Sequence, residues 1–450
     1  MKRDLYARLL AWRRQEGRKP LLLRGARQVG KTYLLKQFGR NEFENTVYLN
    51  FEQNRALGEL FSGKLDPRQI IEKLSLYFGV EIRPEAVLII FDEVQECAEA
   101  LGSLKYFQEE IPEYVLVAAG SLLGLSLNRP TAFPVGKVTF LDLHPMSFGE
   151  FLEATGKSGL RRLIAHKPDF EPLESVFHDE LMDLLKKYYY VGGMPEAVSR
   201  FAAGGNMREV RAVQADILEA HKHDFRKHTG KSEAVRLARV WDSVPAQLAR
   251  ENKKWRFSEV AKHARARDYA DTVEWLALAG LVLRCHRARA PRVPLAGYCD
   301  EGAYKLYLLD VGLLGARLGL SERTIVSGND LFVEYHGAFA ENFVAQELTA
   351  SRSTVWERAE SSGPAGREGL FYWVSNGLAE VDFLVEEEEK IYPLEVKAGA
   401  SAKKKSLLVY GGKFAPPALS RATAMNFKKD GLIFNYPLYA VSRFPTLARR

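Results

Sequence analysis

The sequence predicts an α/β fold in which a doubly wound parallel sheet carries a phosphate-binding loop. Gly25 to Thr32 matches the Walker A pattern G-x-x-x-x-G-K-[ST] without a gap. A later apolar run, Ala86 to Phe91, ends in the carboxylates of Asp92 and Glu93. Strands of this apolar kind alternate with helical segments along the N-terminal third of the chain. Such alternation is typical of parallel sheets that helices cover on both faces.

The residues around the loop favour the Walker A interpretation. The apolar run 21–23 enters the loop as a buried strand would, and Leu34, Leu35 and Phe38 follow it at helical spacing. Glycines let backbone N–H groups point at a phosphate, and a helix N-terminus adds partial positive charge. The alternative is a chance glycine turn before a helix. The candidate ATP-binding residues of the loop are Gly25, Ala26, Arg27, Gln28, Val29, Gly30, Lys31 and Thr32.

Four side chains have predicted roles at the phosphates. Lys31 is predicted to reach the β and γ phosphates, and Thr32 to ligate Mg²⁺. Asp92 is predicted to hold Mg²⁺ through its water shell, and Glu93 to polarise the attacking water as general base. For the acidic pair, the alternative is a solvated turn after an apolar strand. The expected cofactors are therefore ATP and Mg²⁺.

The remaining strands of this sheet are predicted at 47–51, 114–119 and 138–143. Ser121 follows the second of these strands and is the candidate sensor of the γ-phosphate. Its alternative role is to cap a helix that begins at Leu122. The loop lies at the carboxyl end of the first strand, which is where doubly wound sheets bind their ligands.

The composition is typical of a multidomain globular protein. The chain has 450 residues, of which 46% are hydrophobic and 27% charged, and its length predicts about three domains. A net charge of +7 permits a nucleic-acid partner without requiring one. The three cysteines have no C-x-x-C spacing, so we expect neither disulfides nor a cysteine zinc site. Without a signal-peptide core or an 18-residue apolar window, we expect a cytoplasmic protein with no membrane partner.

Five motifs together carry a family resemblance. They read Gly-Ala-Arg-Gln-Val-Gly-Lys-Thr, Phe-Asp-Glu-Val-Gln, Ala-Gly-Ser-Leu-Leu-Gly, Phe-Pro-Val-Gly-Lys and His-Pro-Met-Ser-Phe-Gly-Glu-Phe-Leu. With these motifs the chain resembles the AAA-superfamily ATPases of bacteria and archaea that carry a C-terminal domain of unknown function. The resemblance implies an ATPase core at 1–155, a helical lid at 156–234, a winged-helix module with a linker at 235–324, and a restriction-endonuclease-like α/β domain at 325–450.

One position departs from that family's pattern. Such ATPases often have arginine after the Pro-Val-Gly segment, where this chain has Lys137. A lysine would supply charge without the bidentate fork of an arginine finger. Arg129 and Arg27 are other candidates, so the finger stays unassigned.

The helical lid contains a Gly-Gly-x-Pro turn. In related ATPases such a turn opens a lid helix against the nucleotide base, so Gly193 and Pro195, with Gly192, are candidates for the adenine side. The alternative is a helix–helix turn with proline at the first helical position. Further on, His221, His223, Asp224 and His228 cluster in sequence. Because lysines and arginines interleave with them, we interpret this cluster as a solvated helix face rather than a metal site.

The segment 235–292 is rich in basic residues. Two helices, expected at 257–264 and 272–279, precede a strand at 281–285, an order that suits a winged helix. Contact with DNA is our interpretation, and a packing module with a solubilising surface is the alternative. The basic residues that are most concentrated are Lys253, Lys254, Arg256, Lys262, Arg265, Arg267, Arg284, Arg287, Arg289 and Arg292.

The C-terminal region carries a second chemical pattern. Asp382 is followed by Glu395-Val-Lys397, and Glu341 lies in an upstream helix expected at 332–348. Residues two apart on a strand share one face, so Glu395 and Lys397 should emerge together beside Asp382. Glu341, Asp382 and Glu395 are predicted metal ligands, and Lys397 is a predicted catalytic residue. The alternatives are an ordinary hairpin with a polar face, or a nucleic-acid or protein docking module.

These patterns lead to one principal hypothesis and two rivals. The first is an Mg²⁺-dependent ATPase whose nucleotide state regulates a C-terminal nuclease-like domain on DNA. The second keeps the ATPase but makes the C-terminal domain a non-catalytic binding module, so that the protein is a nucleotide-dependent switch. In the third, ATP is a structural ligand that is scarcely hydrolysed. A protein partner and oligomer formation are left open.

Overall fold

The computed structural model describes residues 1–121, 136–250, 253–327, 330–353, 369–375, 379–399 and 404–449, without the side chains of 325–327, 330–335 and 353. Two sheets, one of five strands and one of eight, organise these residues. Within this described part, no helix is long and apolar enough to cross a membrane.

The first sheet is parallel throughout and has the strand order β2-β3-β4-β1-β5. Its strands are β1 Leu21–Arg24, β2 Asn45–Asn50, β3 Val87–Asp92, β4 Val115–Ala119 and β5 Thr139–Asp142. The surrounding helices are α1 Leu5–Arg14, α2 Lys31–Glu42, α3 Pro67–Phe78 and α4 Ala98–Glu110. The predicted parallel α/β sheet is therefore confirmed.

Strand β3 explains why the sequence forms this sheet. All six of its residues are buried, and their side chains alternate between the two faces. Leu88 and Ile90 pack into the same core as Leu34 of α2, whereas Ile89 and Phe91 pack into a separate core with α3 and α4. A continuous apolar run is the pattern that a strand covered on both faces requires.

Six helices follow β5 along the chain. Their bounds are α5 Phe148–Ala154, α6 Ser158–Ala165, α7 Ser175–Val191, α8 Pro195–Ala202, α9 Met207–His228 and α10 Lys231–Leu248. Local signals set several of their ends: Ser147 and Glu150 form a capping box on α5, Pro195 begins α8, and the side chain of Asn206 caps α9.

The predicted winged-helix module with its linker at 235–324, called the middle segment below, differs from the expected pair of helices. Only a short 3-10 turn, Phe257–Glu259, forms where a helix was predicted at 257–264, and His263 has a left-handed φ of 65°. This backbone conformation ends the helical pattern before the next helix begins. The following elements are α11 Ala266–Leu278, β6 Val282–Ala288, β7 Cys299–Leu308, α12 Val311–Arg317 and α13 Glu322–Ser327.

The eight-stranded sheet joins this middle segment to the C-terminal region. Its order is β12-β13-β11-β10-β9-β8-β6-β7, and β6 pairs with β8 in parallel. The sheet therefore crosses the boundary that we placed at residue 324. The remaining elements are α14 Asp330–Ser353, β8 Leu370–Val374, β9 Glu380–Glu387, β10 Lys390–Val396, α15 Lys405–Phe414, β11 Leu419–Thr423, β12 Lys428–Asp430 and β13 Ile433–Pro437.

Candidate functional site

The Walker A loop connects β1 to α2, and two of its glycines are required by geometry. A Cβ on Gly25 would lie 2.2 Å from the carbonyl oxygen of Leu143, a distance that no side chain tolerates. Gly30 has a φ of 96° and caps α2, which begins at Lys31. Glycine adopts this left-handed conformation without steric cost. The loop thereby delivers the N-terminus of α2 to the carboxyl edge of the sheet.

Lys31 is folded back onto the loop. Its Nζ donates hydrogen bonds of 2.9 Å to the carbonyl oxygens of Gly25 and Ala26. Burial lowers the pKa of Lys31 to about 8, against the opposing charges of Glu93 and Asp92. The ammonium is therefore held inside the loop that is predicted to receive phosphates.

The two predicted Mg²⁺ ligands of this site are in direct contact. The hydroxyl of Thr32 donates a hydrogen bond of 2.7 Å to Oδ2 of Asp92, and Tyr48 donates another of 2.7 Å to the same oxygen. Hydroxyl and carboxylate oxygens are the hard donors that Mg²⁺ prefers, usually together with phosphates and water. Thr32 and Asp92 thus fit a phosphate-bound Mg²⁺, and Tyr48 orients the carboxylate.

Ser121 lies beside the predicted general base. The carboxylate of Glu93 accepts a hydrogen bond of 2.6 Å from Nε2 of Gln95 and one of 3.3 Å from the hydroxyl of Ser121. The backbone N–H of Ser121 also points at this carboxylate, at 3.4 Å. Sequence reasoning missed Gln95, although it lies only two residues after Glu93. The Glu93 carboxylate is therefore held by three neutral donors from two residues.

The predicted helical lid, residues 156–234, contacts the Walker A loop through an ion pair. Arg27 forms an ion pair with Asp224 of α9 and a second one, of 3.2 Å, with Glu52. Lys227 also contacts Glu52. Burial raises the pKa of Asp224, which the charge of Arg27 opposes. Asp224 is only 5% exposed, so this part of α9 docks against the loop.

The histidine cluster on α9 is therefore only partly solvated, which corrects our interpretation. His221 and Asp224 face inward, whereas His223 is exposed. His221 packs edge-on against Trp241, and burial lowers the pKa of His221 to about 4. Among the described residues there is no group of three or more histidine, cysteine, aspartate or glutamate side chains that could hold a metal ion.

Pro195 and Gly193 of the Gly-Gly-x-Pro turn have different neighbours. Pro195 lies beside the loop, because a Cβ on Gly30 would be 3.5 Å from its Cγ. Gly193 instead donates its N–H to Asp310, at 2.5 Å, and accepts a 2.6 Å hydrogen bond from the N–H of Met146. A Cβ on Gly193 would lie 2.1 Å from the Met146 carbonyl oxygen. Close packing, which the sequence could not reveal, is thus sufficient to explain this glycine.

The arginine-finger candidates have different positions. Lys137 pairs with Glu109 at 3.0 Å. Arg27 belongs to the loop itself and pairs with Asp224. Arg129 lies outside the described residues. No candidate is thereby assigned.

In the C-terminal region, β9 and β10 bring the predicted acidic residues to one face. The N–H of Val396 donates a hydrogen bond of 2.8 Å to Asp382, and Lys397 pairs with Glu395 at 2.9 Å. Burial raises the pKa of Asp382 to about 6, an effect that the negative charge of Glu341 reinforces. The hairpin therefore supplies the juxtaposition that the spacing predicted.

A lysine from β7 occupies the centre of this acidic group. Nζ of Lys305 lies 3.5 Å from Glu341, 3.6 Å from Asp382 and 2.5 Å from Glu380. Lys253 pairs with the other oxygen of Glu341. Burial alone would raise the pKa of Glu341, but the charges of Lys253 and Lys305 lower it to about 2.

This arrangement differs from the predicted metal site. Glu341, Asp382 and Glu395 do not surround a space for a cation, because the Lys305 ammonium bridges the first two. We had not singled out Lys305, although a lysine inside the apolar run 303–309 is a visible signal of a buried ion pair. The carboxylates present are therefore a poor fit to Mg²⁺.

Together, the parallel sheet, the Walker A loop and the acidic end of β3 define a P-loop domain of the ATPase class. Residues 17–152 match the model of a family described as an AAA domain. Residues 182–324 and 336–438 match two families described only as domains of unknown function, DUF8612 and DUF4143. The predicted AAA-type core is thus confirmed, whereas the family matches leave the other two segments without a known activity.

No curated protein matches the chain. Among solved structures, it is similar to the Walker-type ATPase PABY2304 of Pyrococcus abyssi, with 15% identity and a TM-score of 0.43, over 70% of this chain and 95% of that one. It is also similar to the Orc1 protein of Aeropyrum pernix in complex with DNA, with 15% identity and a TM-score of 0.28, over 72% and 92% of the two chains. The class of the N-terminal domain therefore rests on the family match.

Proposed function

We propose that this protein is an Mg²⁺-dependent ATPase that acts as a nucleotide-driven switch, with its C-terminal region as a non-catalytic binding module. The observation that carries the ATPase part is the single cluster formed by Lys31, Thr32, Asp92, Glu93 and Ser121 at the carboxyl edge of the parallel sheet. The loop would bind the phosphates of ATP, and Mg²⁺, when bound, would neutralise charge that develops on them.

The residues of the cluster divide the work between binding and hydrolysis. Lys31 exchanges the carbonyl oxygens of Gly25 and Ala26 for phosphate oxygens. Thr32 and Asp92 hold the metal, with Tyr48 fixing the carboxylate by its 2.7 Å hydrogen bond. Glu93 accepts a proton from the attacking water or orients it.

Two contacts would transmit the nucleotide state to the rest of the chain. The first is the Arg27–Asp224 ion pair between the loop and α9. The second runs through Arg3, which donates a hydrogen bond of 2.8 Å to the carbonyl oxygen of Val29 and pairs with Glu150 at 3.0 Å. Arg27 and Val29 both belong to the loop that is proposed to bind the ATP phosphates. ATP binding should therefore alter both contacts.

The second contact continues into the C-terminal region. Glu150 belongs to α5, and the N–H of Phe148 at the start of that helix donates a hydrogen bond of 2.7 Å to Glu347 of α14. The same helix carries Glu341, six residues earlier, which belongs to the acidic group around Lys305. The ion pair of Glu150 and the hydrogen bond of Phe148, both on the first turn of α5, thus make α14 our candidate for the element that two sites bias.

DNA is the partner that we propose for the module together with the middle segment, which shares its sheet through the β6–β8 pairing. Several basic side chains of the middle segment are exposed, as a phosphate backbone would require. Part of this charge is already neutralised, since Arg284 pairs with Glu274, Arg267 with Asp268, and both Arg287 and Arg289 with Asp300. The exposed basic residues are Lys254, Arg256, Lys262, Arg265, Arg267, Arg289 and Arg292.

A regulated nuclease-like domain is the second candidate function. One observation favours it, namely that Asp382, Glu395 and Lys397 lie together on the β9–β10 hairpin. The position of Lys305 among the carboxylates weighs against it, because a metal-dependent nuclease needs that position for its ion. The binding module is therefore the better supported of the two.

The deciding experiment measures ATP turnover with Mg²⁺ in the presence and absence of duplex DNA, single-stranded DNA and RNA, and checks the same samples for cleavage. We expect turnover that Lys31→Ala abolishes through loss of ATP binding. In Glu93→Gln we expect retained binding with turnover reduced by roughly 10²–10³-fold. DNA-stimulated turnover with every nucleic acid intact would support the switch.

Three other outcomes would contradict parts of this proposal. ATP binding unchanged in Lys31→Ala would refute the assignment of the loop. Tight binding with negligible turnover would make ATP a structural ligand. Cleavage that disappears in Asp382→Ala and Lys397→Ala would establish the nuclease instead.

A further inference from the structure

We infer that the ammonium group of Lys305 is the resident cation of the C-terminal acidic site and excludes divalent metal ions from it. The side chain of Lys305 is 3% exposed. Its Nζ lies at similar distances from Glu341 and Asp382, 3.5 and 3.6 Å, so the two carboxylates converge on one nitrogen. A metal shared by these carboxylates would need to lie about 2.1 to 2.6 Å from their oxygens, in the space that the nitrogen fills.

The carboxylate oxygens that a metal would require are already engaged. Oε1 of Glu341 pairs with Lys253, and its Oε2 accepts a hydrogen bond of 3.0 Å from Tyr307. Oδ2 of Asp382 accepts the Val396 N–H, and its Oδ1 faces Lys305. Groups of the protein itself therefore already contact all four oxygens of these two carboxylates.

Glu395 is the exception within the described part of the site. Its Oε1 pairs with Lys397, but its Oε2 is buried without a hydrogen-bond partner. A single carboxylate oxygen is a weak ligand for Mg²⁺, which demands an octahedral set of oxygens. Glu395 alone therefore does not provide a metal site while Lys305 holds its neighbours.

Lys305 cannot easily withdraw from its position. It lies within β7, paired with Cys285 of β6, and β6 in turn pairs with β8 of the C-terminal sheet. The Nζ also lies 5.1 Å from the ring centre of Tyr372, which favours a cation at this place. The strand pairing fixes the backbone of Lys305, and the burial of its side chain keeps the ammonium group among the carboxylates.

The test measures Mn²⁺ binding to the nucleotide-free, full-length protein by electron paramagnetic resonance. We expect wild type and Asp382→Asn to bind the same amount of Mn²⁺. Lys305→Ala should gain an additional Mn²⁺ per chain, because Asp382 and Glu380 then lose their ion-pair partner and Glu341 keeps only Lys253. The double variant Lys305→Ala/Asp382→Asn should lose this additional ion. Lys390→Ala, which removes an exposed lysine of β10, is the matched control and should gain none.

A second measurement covers the case in which Lys305→Ala folds poorly. Lys305→Met keeps most of the apolar side-chain volume but removes the charge. Because Glu341 and Asp382 then lose the Lys305 ammonium group, the unfolding temperature should fall. We expect added Mn²⁺ to raise the unfolding temperature of the Lys305→Ala or Lys305→Met protein but not that of wild type.

Two results would overturn the inference. One is a Mn²⁺ ion in the wild-type protein that Asp382→Asn removes. The other is the absence of any gain in Mn²⁺ binding or Mn²⁺-dependent stability in both Lys305 variants. Neither readout depends on ATP turnover, so a failed inference and a failed ATPase proposal remain distinguishable.

Discussion

The guanidinium group of Arg27, within the phosphate loop, contacts the carboxylate of Asp224 near the end of α9. The two residues are 197 positions apart in the sequence. Asp224 is almost fully buried, so a loop that must admit phosphates is joined to the helical segment by a poorly solvated charge pair. Breaking a buried pair leaves an uncompensated charge, which is more costly than breaking an exposed one.

Replacing Asp224 with asparagine should strengthen ATP binding. The Arg27 side chain then loses its carboxylate partner on α9 and becomes available to phosphate oxygens. We expect the Kd for ATP to fall by roughly fivefold, in keeping with the strength of charged hydrogen bonds. Titration with a fluorescent ATP analogue measures the change. Asp216→Asn, an exposed residue of the same helix, is the control, and equal or weaker binding in Asp224→Asn would refute the competition.

Replacing Ser121 with alanine should reduce the rate of hydrolysis without weakening substrate binding. The hydroxyl of Ser121 lies 3.3 Å from the Glu93 carboxylate and helps to hold it in place. We expect kcat to fall by roughly three- to tenfold while KM changes little, since a positioning interaction is lost. Steady-state ATPase kinetics measure both values. Ser62→Ala, at an exposed serine, should match wild type, and a change confined to KM would contradict this role.

Replacing Glu347 with glutamine should make stability less dependent on pH. Burial raises the pKa of Glu347 to about 8, with Glu150 and Asp4 adding to the effect. Since the folded pKa is above the unfolded value of about 4.3, the contribution of Glu347 to wild-type stability should be fully present below pH 4.3 and be lost as pH rises toward 8. The amide keeps an oxygen acceptor for the Phe148 N–H but cannot ionise.

Thermal unfolding from pH 5 to pH 8 measures this difference. The advantage of Glu347→Gln over wild type should grow with pH and reach about 2–4 kcal/mol near neutrality. Glu219→Gln, at an exposed position of α9, should show no such trend. A constant offset across the range would mean that Glu347 is ionised in the folded protein.

Replacing Gly193 with alanine should lower stability rather than act on the nucleotide directly. The added Cβ would lie 2.1 Å from the backbone oxygen of Met146, and such overpacking costs about 1–3 kcal/mol. Gly159→Ala, in α6 with nothing within 4 Å of its Cβ, is the control and should be neutral or slightly stabilising. If Gly193→Ala kept its unfolding temperature and lost ATP binding, the predicted adenine contact would be supported.

Local signals made the N-terminal domain predictable. The loop residues, the apolar strand before Asp92 and the proline that begins α8 each act over a few positions, and the structure has them where the sequence indicated. The side-chain period of two likewise placed Glu395 and Lys397 together.

What the sequence did not reveal depends on long-range pairing. Lys305 meets Asp382 only because β6 pairs with β8, an arrangement that no local pattern specifies. The burial of His221 depends on Trp241 of the next helix. At 257–264 the prediction was wrong for a local reason. The sequence has helical periodicity there, but the backbone at His263 is left-handed, so no α-helix forms.

The pairing of β6 with β8 also affects how this chain can be divided for expression. A fragment that ends at residue 324 would leave the β8-facing edge of β6 without its partner, and exposed strand edges promote aggregation. The complementary fragment would lose the Lys305 charge and expose Asp382 and Glu380. We therefore expect a C-terminal fragment cut before β6, which keeps β6 and β7 beside the sheet that they extend, to be more soluble than one cut at residue 324.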